Sequence, residues 1–465
     1  METDYDVVVV GGGGAGMTAA ISAAEAGASV LLVEAAGELG GSTALSGGSF
    51  MVAGTPVQAE AGHPDDTAST FLDHFLTFTQ YGVTPGVADR FCREALPTWE
   101  WLVGLGVEYR VDGLYRATRE SAPRSHRPVG GGASYVRCLK TALGEHQIDV
   151  ALGQRVDALL VDGERVTGVR SGDDEVRAGA VVLTCGGFGG NTHALAAWVP
   201  EATTGPPPWS PAVATCRGDA VTLVEAVGGE VAEGVGDLLL TAALTSDLEP
   251  YPPGWLLLVD THGRRFVDEA APYAVLVPLA EAHGPVHVIL DDRALRESRG
   301  SVGPWGAGTW TADVLVPAAE RGAVHTADTI EQLAARIDVP PSALAGTLRR
   351  YNRACEDGFD PEFLKGADDL RAVMQPPFHA VPVWPSVVAV TSRGARIDRD
   401  ARVIRAADGD PIPGLFAAGE ATGNVIGDRY LGGGHAIGSA LIFGRVAGLG
   451  AAACAGRPVE HTVGR

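Results

Sequence analysis

A run of four valines followed at once by a run of glycines constrains this chain more than any other feature. Val7 to Val10 form an uninterrupted β-branched run, which is typical of a strand buried on both faces of a parallel sheet. The run continues into the sequence GGGGAG, which satisfies the spacing G-x-G-x-x-G through Gly11, Gly13 and Gly16. Alanine-rich sequence then predicts a helix that reaches about residue 26. The segment therefore predicts a strand, a tight turn and a helix whose N-terminus can bind a phosphate.

The glycines of this turn have separate tasks in a dinucleotide site. The first permits the tight turn, the second lets backbone N–H groups approach a pyrophosphate, and the third lets the helix pack on the strand. A second predicted strand at residues 29–33 ends in Glu34, which is positioned to accept hydrogen bonds from an adenosine ribose. Because strand, turn, helix, strand and acid occur in this order, we prefer a dinucleotide site to an ordinary glycine turn. The expected contacts in the turn are Gly11, Gly13, Gly14, Ala15 and Gly16.

A second small-residue segment, GGSTALSGGS at residues 40–49, follows closely. It is either a flexible polar loop or a loop that wraps a cofactor's phosphates and ribityl chain without clashing. With Glu34 before it, this segment resembles the flavoprotein family of fumarate reductases, succinate dehydrogenases and 3-ketosteroid dehydrogenases. The resemblance implies FAD, bound here by Gly41, Ser42, Thr43, Ser46, Gly47 and Gly48.

Two further expectations concern the cofactor. Family members that bind FAD covalently carry a histidine in this loop, and residues 40–50 contain none, so we expect non-covalent FAD. No second strand–GxGxxG–helix unit follows in the sequence, so we expect no separate nicotinamide domain.

The resemblance also implies a fold class and a domain plan. It implies an α/β protein with a Rossmann-like FAD-binding domain, formed by residues 1–222 and 375–465. An inserted α+β capping domain would occupy residues 223–374. A hairpin is expected at Asp162-Gly163, and residues 180–184 are expected to return to the FAD sheet as a strand. The glycines after that strand, Gly186 and Gly187, are predicted to contact the cofactor.

The C-terminal quarter carries two more motifs of the family. The first is a short strand ending in Gly419 and Glu420, and the resemblance gives this glutamate a hydrogen bond to the flavin's ribityl region. The second, YLGGGHAIGSA at residues 430–440, opens a helix. A helix N-terminus aimed at the flavin pyrimidine would stabilise negative charge on reduced flavin. The alternative is a glycine loop that caps a core helix. The cofactor contacts expected here also include Ser439, Ala440 and Leu441.

Three positions depart from the dicarboxylate-reducing branch of the family, which holds anionic substrates with arginine and histidine. Tyr430 replaces the arginine before Leu-Gly-Gly, and Tyr273 replaces the arginine that follows the segment Arg265-Phe-x-x-Glu269. Val390 stands where that branch has a histidine. These changes remove the groups that bind and protonate a dicarboxylate.

What replaces them resembles the 3-ketosteroid dehydrogenases. In that branch a Tyr hydroxyl and a Gly N–H hold the ketone oxygen, and Tyr430 and Gly434 keep their spacing. A second tyrosine removes the proton next to the ketone, and Tyr273 matches it. Two donors on a carbonyl stabilise an enolate, so a nearby base can remove the α-hydrogen while hydride leaves the β-carbon. The competing interpretation is that both tyrosines are interface aromatics with satisfied hydroxyls.

Other residues do not decide the class of substrate. The family's assisting tyrosine has only Tyr109 and Tyr115 as candidates, and Arg393 replaces a glycine, from where it would intrude on the substrate site. The lead hypothesis is an enzyme that desaturates a CH–CH bond beside a ketone or reduces the enone. A fumarate reductase-like enzyme would need a cationic clamp from Arg393, His126, Arg127 and Arg429. A non-catalytic flavin-binding electron-transfer subunit is the third hypothesis.

Composition limits the partners. A length of 465 residues predicts two domains, and a formal net charge of −22 disfavours nucleic acid and anionic membrane surfaces. The 6 cysteines are scattered without Cys-x-x-Cys spacing, so we expect free thiols and no metal ligands. The acidic N-terminus and the lack of a run of about 18 apolar residues predict a cytoplasmic protein without a membrane span. The expected partners are a small ketone or enone and an electron donor or acceptor of unknown identity.

Overall fold

The computed structural model describes residues 3–234, 236–242, 244, 252–297 and 310–457. The chain divides into two compact units. The first comprises Met1–Trp198, Ser210–Asp237 and Val388–Arg465, and the second comprises Val199–Trp209 and Leu238–Val387. The boundaries at residues 222 and 374 remain a prediction about functional domains.

The strands are named in chain order. They are β1 (Tyr5–Val10), β2 (Val30–Glu34), β3 (Phe50–Met51), β4 (Tyr109–Tyr115), β5 (Ser125–Pro128), β6 (Asp149–Leu152), β7 (Ala158–Asp162), β8 (Arg165–Ser171), β9 (Asp174–Leu183), β10 (Val231–Ala232), β11 (Asp237–Thr241), β12 (Leu257–Val259), β13 (Val286–Asp291), β14 (His325–Ala327), β15 (Phe378–Val390), β16 (Gly394–Ala395), β17 (Arg402–Ile404) and β18 (Pro411–Ala417).

The helices follow the same convention. They are α1 (Gly14–Glu25), α2 (Gly41–Leu45), α3 (Pro56–Glu60), α4 (Ala68–Phe78), α5 (Pro85–Gly104), α6 (Gly132–Glu145), α7 (Thr192–Trp198), α8 (Asp219–Ala226), α9 (Tyr273–His283), α10 (Asp292–Glu297), α11 (Ala312–Glu320), α12 (Ile330–Arg336), α13 (Pro341–Asp357) and α14 (His435–Cys454).

A largely parallel sheet organises the first unit. Its strand order is β17-β18-β9-β1-β2-β6, with β1 parallel to both β2 and β9. The four valines of β1 are at most 4% exposed, which explains why a continuous β-branched run is needed there. The predicted α/β fold with a Rossmann-like parallel sheet is confirmed.

The predicted hairpin is present, but its turn lies one residue later than expected. Asp162 at the end of β7 pairs with Arg165 at the start of β8, so the connecting residues are Gly163 and Glu164. Gly163 has a φ of +60°, and this explains the displacement, since glycine adopts that conformation more readily than aspartate.

Helix α14 packs against α1 through small residues. A Cβ at Gly444 or Gly448 would collide with the carbonyl oxygens of Ala15 and Ala19, so glycine allows the two helices to approach closely. By length and composition α14 is the one helix among the described residues that could cross a membrane, yet 67% of its apolar stretch is buried inside the protein. Packing on α1 accounts for this apolar composition.

A small antiparallel sheet, β3-β5-β4, lies within the same unit. Phe50 of β3 pairs with His126 of β5, and Tyr115 of β4 pairs with Ser125. The hydroxyl of Ser125 donates to the carbonyl of Gly433 at 2.5 Å. The sheet therefore reaches the glycine-rich segment before α14.

The second unit contains an antiparallel sheet of order β11-β15-β13-β12, with β14 also paired to β15. Its apolar core includes Leu257 and Ile289 together with residues of α12 and α13. A buried ion network reinforces this core, since Arg265 pairs with Glu269 at 2.8 Å and with Asp360 at 3.0 Å. The Arg-Phe-x-x-Glu segment thus has a structural function inside the second unit.

Candidate functional site

A cavity of about 450 Å³ in the first unit opens at the carboxyl ends of β1, β2 and β9. Ligands bind at this edge in parallel α/β sheets, and the volume lies in the range of small-molecule sites. Most of the cofactor residues predicted from the sequence line it: Gly11, Gly13, Gly14, Ala15, Glu34, Gly41, Ser42, Thr43, Ser46, Gly47, Gly48, Gly186, Gly419, Glu420 and Ala440.

The turn after β1 has the geometry that its glycines predict. A Cβ at Gly13 would meet no atom within 4 Å, because the position faces the cavity. A Cβ at Gly11 would collide with Thr184, and one at Gly16 would collide with Gly11. Gly16 therefore lies behind the cavity wall, where it allows the helix to pack against the strand.

Glu34 lines the cavity next to the glycine turn. Its carboxylate accepts hydrogen bonds from the backbone N–H groups of Gly12 and Ala36, both at 2.6 Å, and the residue is 7% exposed. Each carboxylate oxygen can accept more than one hydrogen bond, so capacity for a ribose hydroxyl remains. The backbone bonds fix the carboxylate at the cavity edge.

The small-residue loop packs against the glycine turn. The N–H of Gly40 donates to the carbonyl of Gly12 at 2.9 Å, and the N–H of Gly14 donates to the Thr43 hydroxyl at 3.1 Å. The hydroxyl of Ser46 donates to the carbonyl of Thr43 at 2.8 Å, which holds the end of α2. The loop is therefore an ordered wall of the cavity.

Glu420 occupies another part of the wall. It accepts hydrogen bonds from the N–H and hydroxyl of Thr391 at 2.7 and 2.6 Å. Burial raises the pKa of Glu420, while the bonds from Thr391 oppose that rise. A Cβ at Gly187 would collide with the Thr391 hydroxyl, so Gly187 supports this pair from behind instead of lining the cavity.

The segment before α14 brings Tyr430, Gly434 and Ala436 to the cavity. Gly434 precedes the first residue of the helix with a φ of +114°, and the N-terminus of α14 therefore lies at the wall. Ser439 and Leu441 are fully buried within α14 and do not line the cavity. They support the wall, since a Cβ at Gly14 would lie 3.2 Å from the Leu441 side chain.

Tyr430 is held by its neighbours. Its ring stacks on His435 with centroids 5.6 Å apart, and its hydroxyl accepts a hydrogen bond from the N–H of Ala436 at 3.4 Å. Burial raises the pKa of Tyr430 well above its ordinary value. The phenol therefore keeps its proton at neutral pH, and the hydroxyl can donate a hydrogen bond into the cavity.

His435 was not among the residues predicted for the site. It is fully buried between the edges of Phe75 and Phe91, and burial lowers its pKa to about 3. A neutral imidazole is thus the surface on which Tyr430 stacks. The sequence could have indicated this residue, because it directly follows the three glycines of the C-terminal motif.

Tyr273, the predicted base, is the first residue of α9 in the second unit and follows Pro272. The cavity described above is lined by residues of the first unit, and Tyr273 is not among them. The catalytic assignment of Tyr273 therefore stays a prediction.

The two candidates for an assisting tyrosine differ in their surroundings. The Tyr109 hydroxyl bonds to that of Tyr135 at 2.9 Å, away from the cavity lining. Tyr115 lines the cavity and donates to the Ser49 hydroxyl at 2.8 Å. Only the second of these hydroxyls is placed to act in the cavity.

The four side chains of a hypothetical dicarboxylate clamp do not converge. Arg393 pairs with Glu233 at 2.7 Å, lies over the ring of Trp198 and is absent from the lining of this cavity, so its intrusion on the substrate site stays a prediction. His126 is buried between Thr55 and the Arg124 carbonyl, and Arg429 is absent from the lining. Arg127 is the one member of the four that lines the cavity.

Sequence reasoning missed several other lining residues. At the Glu34 end they include Gln154, Arg155, Val156 and Asp219, and Arg155 pairs with Asp219. The first three of these residues follow β6, whereas Asp219 is the first residue of α8. They meet because segments that are distant in sequence lie at the same edge of the sheet. Within the residues that the structure describes, no group of histidine, cysteine and acidic side chains could hold a metal ion.

The cavity suits a dinucleotide with a long polar body. The Gly13 position is open to a phosphate and Glu34 is available for a ribose, while residues of α2, Glu420 and Tyr430 line the same cavity. Donors at α1 and acceptors at Glu34 and Glu420 match the alternation of anionic and hydroxyl groups in FAD.

Comparisons with known proteins extend this description. The family described as FAD binding domain matches residues 6–437. The chain is 30% identical over 469 residues to the NADH:fumarate oxidoreductase of Klebsiella pneumoniae, covering 96% of this chain and 48% of that protein. It is also 30% identical over 483 residues to the urocanate reductase of Eggerthella lenta, covering 98% of this chain and 76% of that protein. The chain thus spans about half the length of the first relative.

Among solved structures, the chain resembles 3-ketosteroid-Δ4-(5α)-dehydrogenase from Rhodococcus jostii RHA1 in complex with 4-androstene-3,17-dione. The TM-score is 0.82 at 26% identity, and the alignment covers 97% of this chain and 98% of that one. Both branches weighed in the sequence, carboxylate reductases and ketosteroid dehydrogenases, are therefore represented among similar proteins.

Proposed function

Because this chain belongs to the FAD binding domain family, we propose that it is an FAD-dependent oxidoreductase acting on the CH–CH bond next to a ketone. Matched relatives include a fumarate and a urocanate reductase, and a ketosteroid dehydrogenase has a similar structure. All three names describe chemistry at a carbon–carbon bond conjugated to a carbonyl or carboxyl group. The choice of a ketone rests on residues that line the cavity.

One observation carries the choice of a ketone: the cavity wall presents a neutral phenol where a dicarboxylate enzyme needs a cation. Tyr430 lines the cavity with Gly434, and burial raises the pKa of its hydroxyl. A protonated phenol and a backbone N–H are suitable donors for a ketone oxygen, and both stabilise the negative charge that develops on an enolate. They provide no counter-charge for a carboxylate.

The proton would be handled by Tyr273. In the desaturation direction this side chain takes the proton from Cα while a hydride leaves Cβ, so that the C–C single bond becomes a double bond. In the reduction direction the same hydroxyl returns the proton to Cα. FAD, when bound, supplies the acceptor or donor of the hydride. Tyr430 and Gly434 hold the oxygen in both directions.

We further propose that FAD is bound without a covalent bond to the protein. The support is the lack of a histidine in residues 40–50, whose small side chains line the cavity. Precipitation of the purified protein with acid should release the flavin into the supernatant. Flavin that stays with the polypeptide would contradict this part of the proposal.

The function is tested by anaerobic titration of the FAD-loaded protein with a panel of saturated ketones, enones and dicarboxylates. A saturated ketone should bleach the absorption of the oxidised flavin, or an enone should restore it after chemical reduction. Fumarate and succinate should do neither at comparable concentrations. Turnover of the dicarboxylates with no response to any ketone would favour the fumarate reductase-like alternative. No response to either class would favour an electron-transfer subunit.

A further inference from the structure

The cavity is bordered by three carboxylates, and each is bonded to other protein groups. Glu34 accepts from two backbone N–H groups, Glu420 accepts from Thr391, and Asp219 pairs with Arg155. Two arginines also line the cavity, Arg155 and Arg127. Since Arg155 forms an ion pair with Asp219, Arg127 is the arginine of the cavity wall whose charge is available to a ligand.

Arg127 has no carboxylate partner among the residues that the structure describes. Its guanidinium lies over the ring of Tyr115, 5.4 Å from the ring centroid, and its side chain is exposed at the cavity. Stacking on an aromatic face leaves the planar edge of a guanidinium free for two parallel hydrogen bonds. Such an edge matches a carboxylate in geometry and charge.

The position of Arg127 relates it to the ketone site. Tyr115, whose ring lies under the guanidinium, donates to Ser49, and a Cβ at Gly433 would collide with the Tyr115 hydroxyl. Gly433 immediately precedes Gly434, and Ser125 holds its carbonyl from the same β5 strand that carries Arg127. Arg127 therefore belongs to the Tyr430 end of the cavity, whereas the open phosphate position at Gly13 belongs to the turn before α1.

The net charge of −22 makes the position of Arg127 informative about the charge of the ligand. A protein with such an excess of acid repels anions in general, whereas an arginine that has no carboxylate partner in a cavity wall attracts an anionic group locally. We propose that Arg127 binds a carboxylate on the substrate, so that the substrate class is a small oxo acid carrying a ketone and a separate carboxylate. This inference rests on the proposed function and adds the charge of the substrate to it.

The test compares a keto acid with its uncharged ester. 4-Oxocyclohexanecarboxylate and its methyl ester share the ketone and ring, and differ in the charge that Arg127 would bind. For the FAD-loaded wild type, kcat/KM should favour the acid. Arg127→Gln should reduce the ratio of acid to ester kcat/KM by roughly 10- to 100-fold, the range for losing hydrogen bonds to a charged group. Arg137→Gln, which removes an exposed arginine on α6, should leave the ratio unchanged.

Three outcomes would overturn the inference. One is an equal loss for acid and ester in Arg127→Gln, and another is the same change in Arg137→Gln. The third is loss of FAD from Arg127→Gln, because the arginine would then serve the cofactor. Binding of the acid, read from the flavin spectrum without turnover, separates this result from failure of the proposed function. If neither ketone is converted, weaker binding of the acid to Arg127→Gln still supports the arginine's role, and equal binding refutes it.

Discussion

At the scale of single residues, Tyr430 shows how burial and stacking prepare a side chain for one task. Its ring is fixed on a neutral His435, and its hydroxyl keeps its proton because burial raises the pKa. Tyr430→Phe keeps the stacked ring and removes only the donor. We expect kcat to fall about 10²- to 10³-fold, as for other donors to a developing oxyanion. Steady-state kinetics with unchanged FAD content would establish this, and near-normal kcat would exclude the donor role.

Tyr273 is the second residue whose replacement should impair the chemical step of the reaction. Tyr273→Phe removes the proposed acid or base, and we expect a fall in turnover of roughly 10²- to 10⁴-fold in either direction. Exchange of the α-proton of a bound ketone with D₂O, followed by NMR, measures the same step separately from hydride transfer. Exchange at the wild-type rate in the variant would remove Tyr273 from the mechanism and leave the FAD site unaffected.

Gly13 provides a test of the phosphate position. Because a Cβ at Gly13 meets no protein atom within 4 Å, Gly13→Val should fold normally while its side chain fills the space for the pyrophosphate. We expect the purified variant to contain less than about a tenth of the wild-type FAD and to retain its circular dichroism spectrum. Gly37→Val, at an exposed glycine outside the cavity lining, is the matched control and should remain yellow.

At the scale of elements, the contact of α1 with α14 joins the cofactor turn to the C-terminal motif. A side chain at Gly448 would collide with the Ala19 backbone, so Gly448→Val should separate the helices. We expect a loss of about 1–3 kcal/mol in the free energy of unfolding, the usual cost of overpacking. Urea denaturation measures it, with Ala453→Val as control because Ala453 is exposed on the same helix. An unchanged midpoint would show that α14 adjusts without cost.

The same scale shows what the sequence can and cannot predict. The strand, turn and helix around Gly11 were predictable because their signals are local and consecutive. The sites of Tyr115 and Arg127 were not, because they depend on the pairing of β4 and β5 and on the contact of Tyr115 with Gly433. Strand register between distant segments is set by packing, which no short motif encodes. The partners of Arg393, Glu233 and Trp198, were likewise not predictable, because they are distant in sequence.

At the scale of the whole molecule, buried histidines should make stability depend on pH. Burial lowers the pKa of His126 to about 4 and that of His435 to about 3, whereas both titrate near 6.5 when unfolded. Below about pH 6.5 each of these imidazoles therefore binds more protons in the unfolded chain than in the folded one, and its contribution to stability decreases as the pH decreases. When the pH is lowered from 7.5 to 5.5, we expect each of the two histidines to reduce the free energy of unfolding by about 1 kcal/mol.

Urea denaturation at the two pH values measures this difference. His126→Gln should reduce the pH dependence, since an amide at that position does not titrate in either state. The same pH dependence in His126→Gln as in the wild type would mean that the His126 imidazole binds protons equally in the folded and unfolded states.

The order of strands in the large sheet has a consequence for synthesis of the chain. Strand β9 lies between β1, which is made first, and β18, whose residues Leu415 to Ala417 pair with residues 181–183. A nascent chain must therefore hold residues 181–183 of β9 without their β18 partners while residues 184–414 are translated, although β8 already pairs with residues 174–177. Open strand edges and late, long-range pairing are the features that slow folding and promote aggregation. Synthesis of this protein should thus benefit from chaperones that shield this part of the sheet edge until β18 emerges from the ribosome.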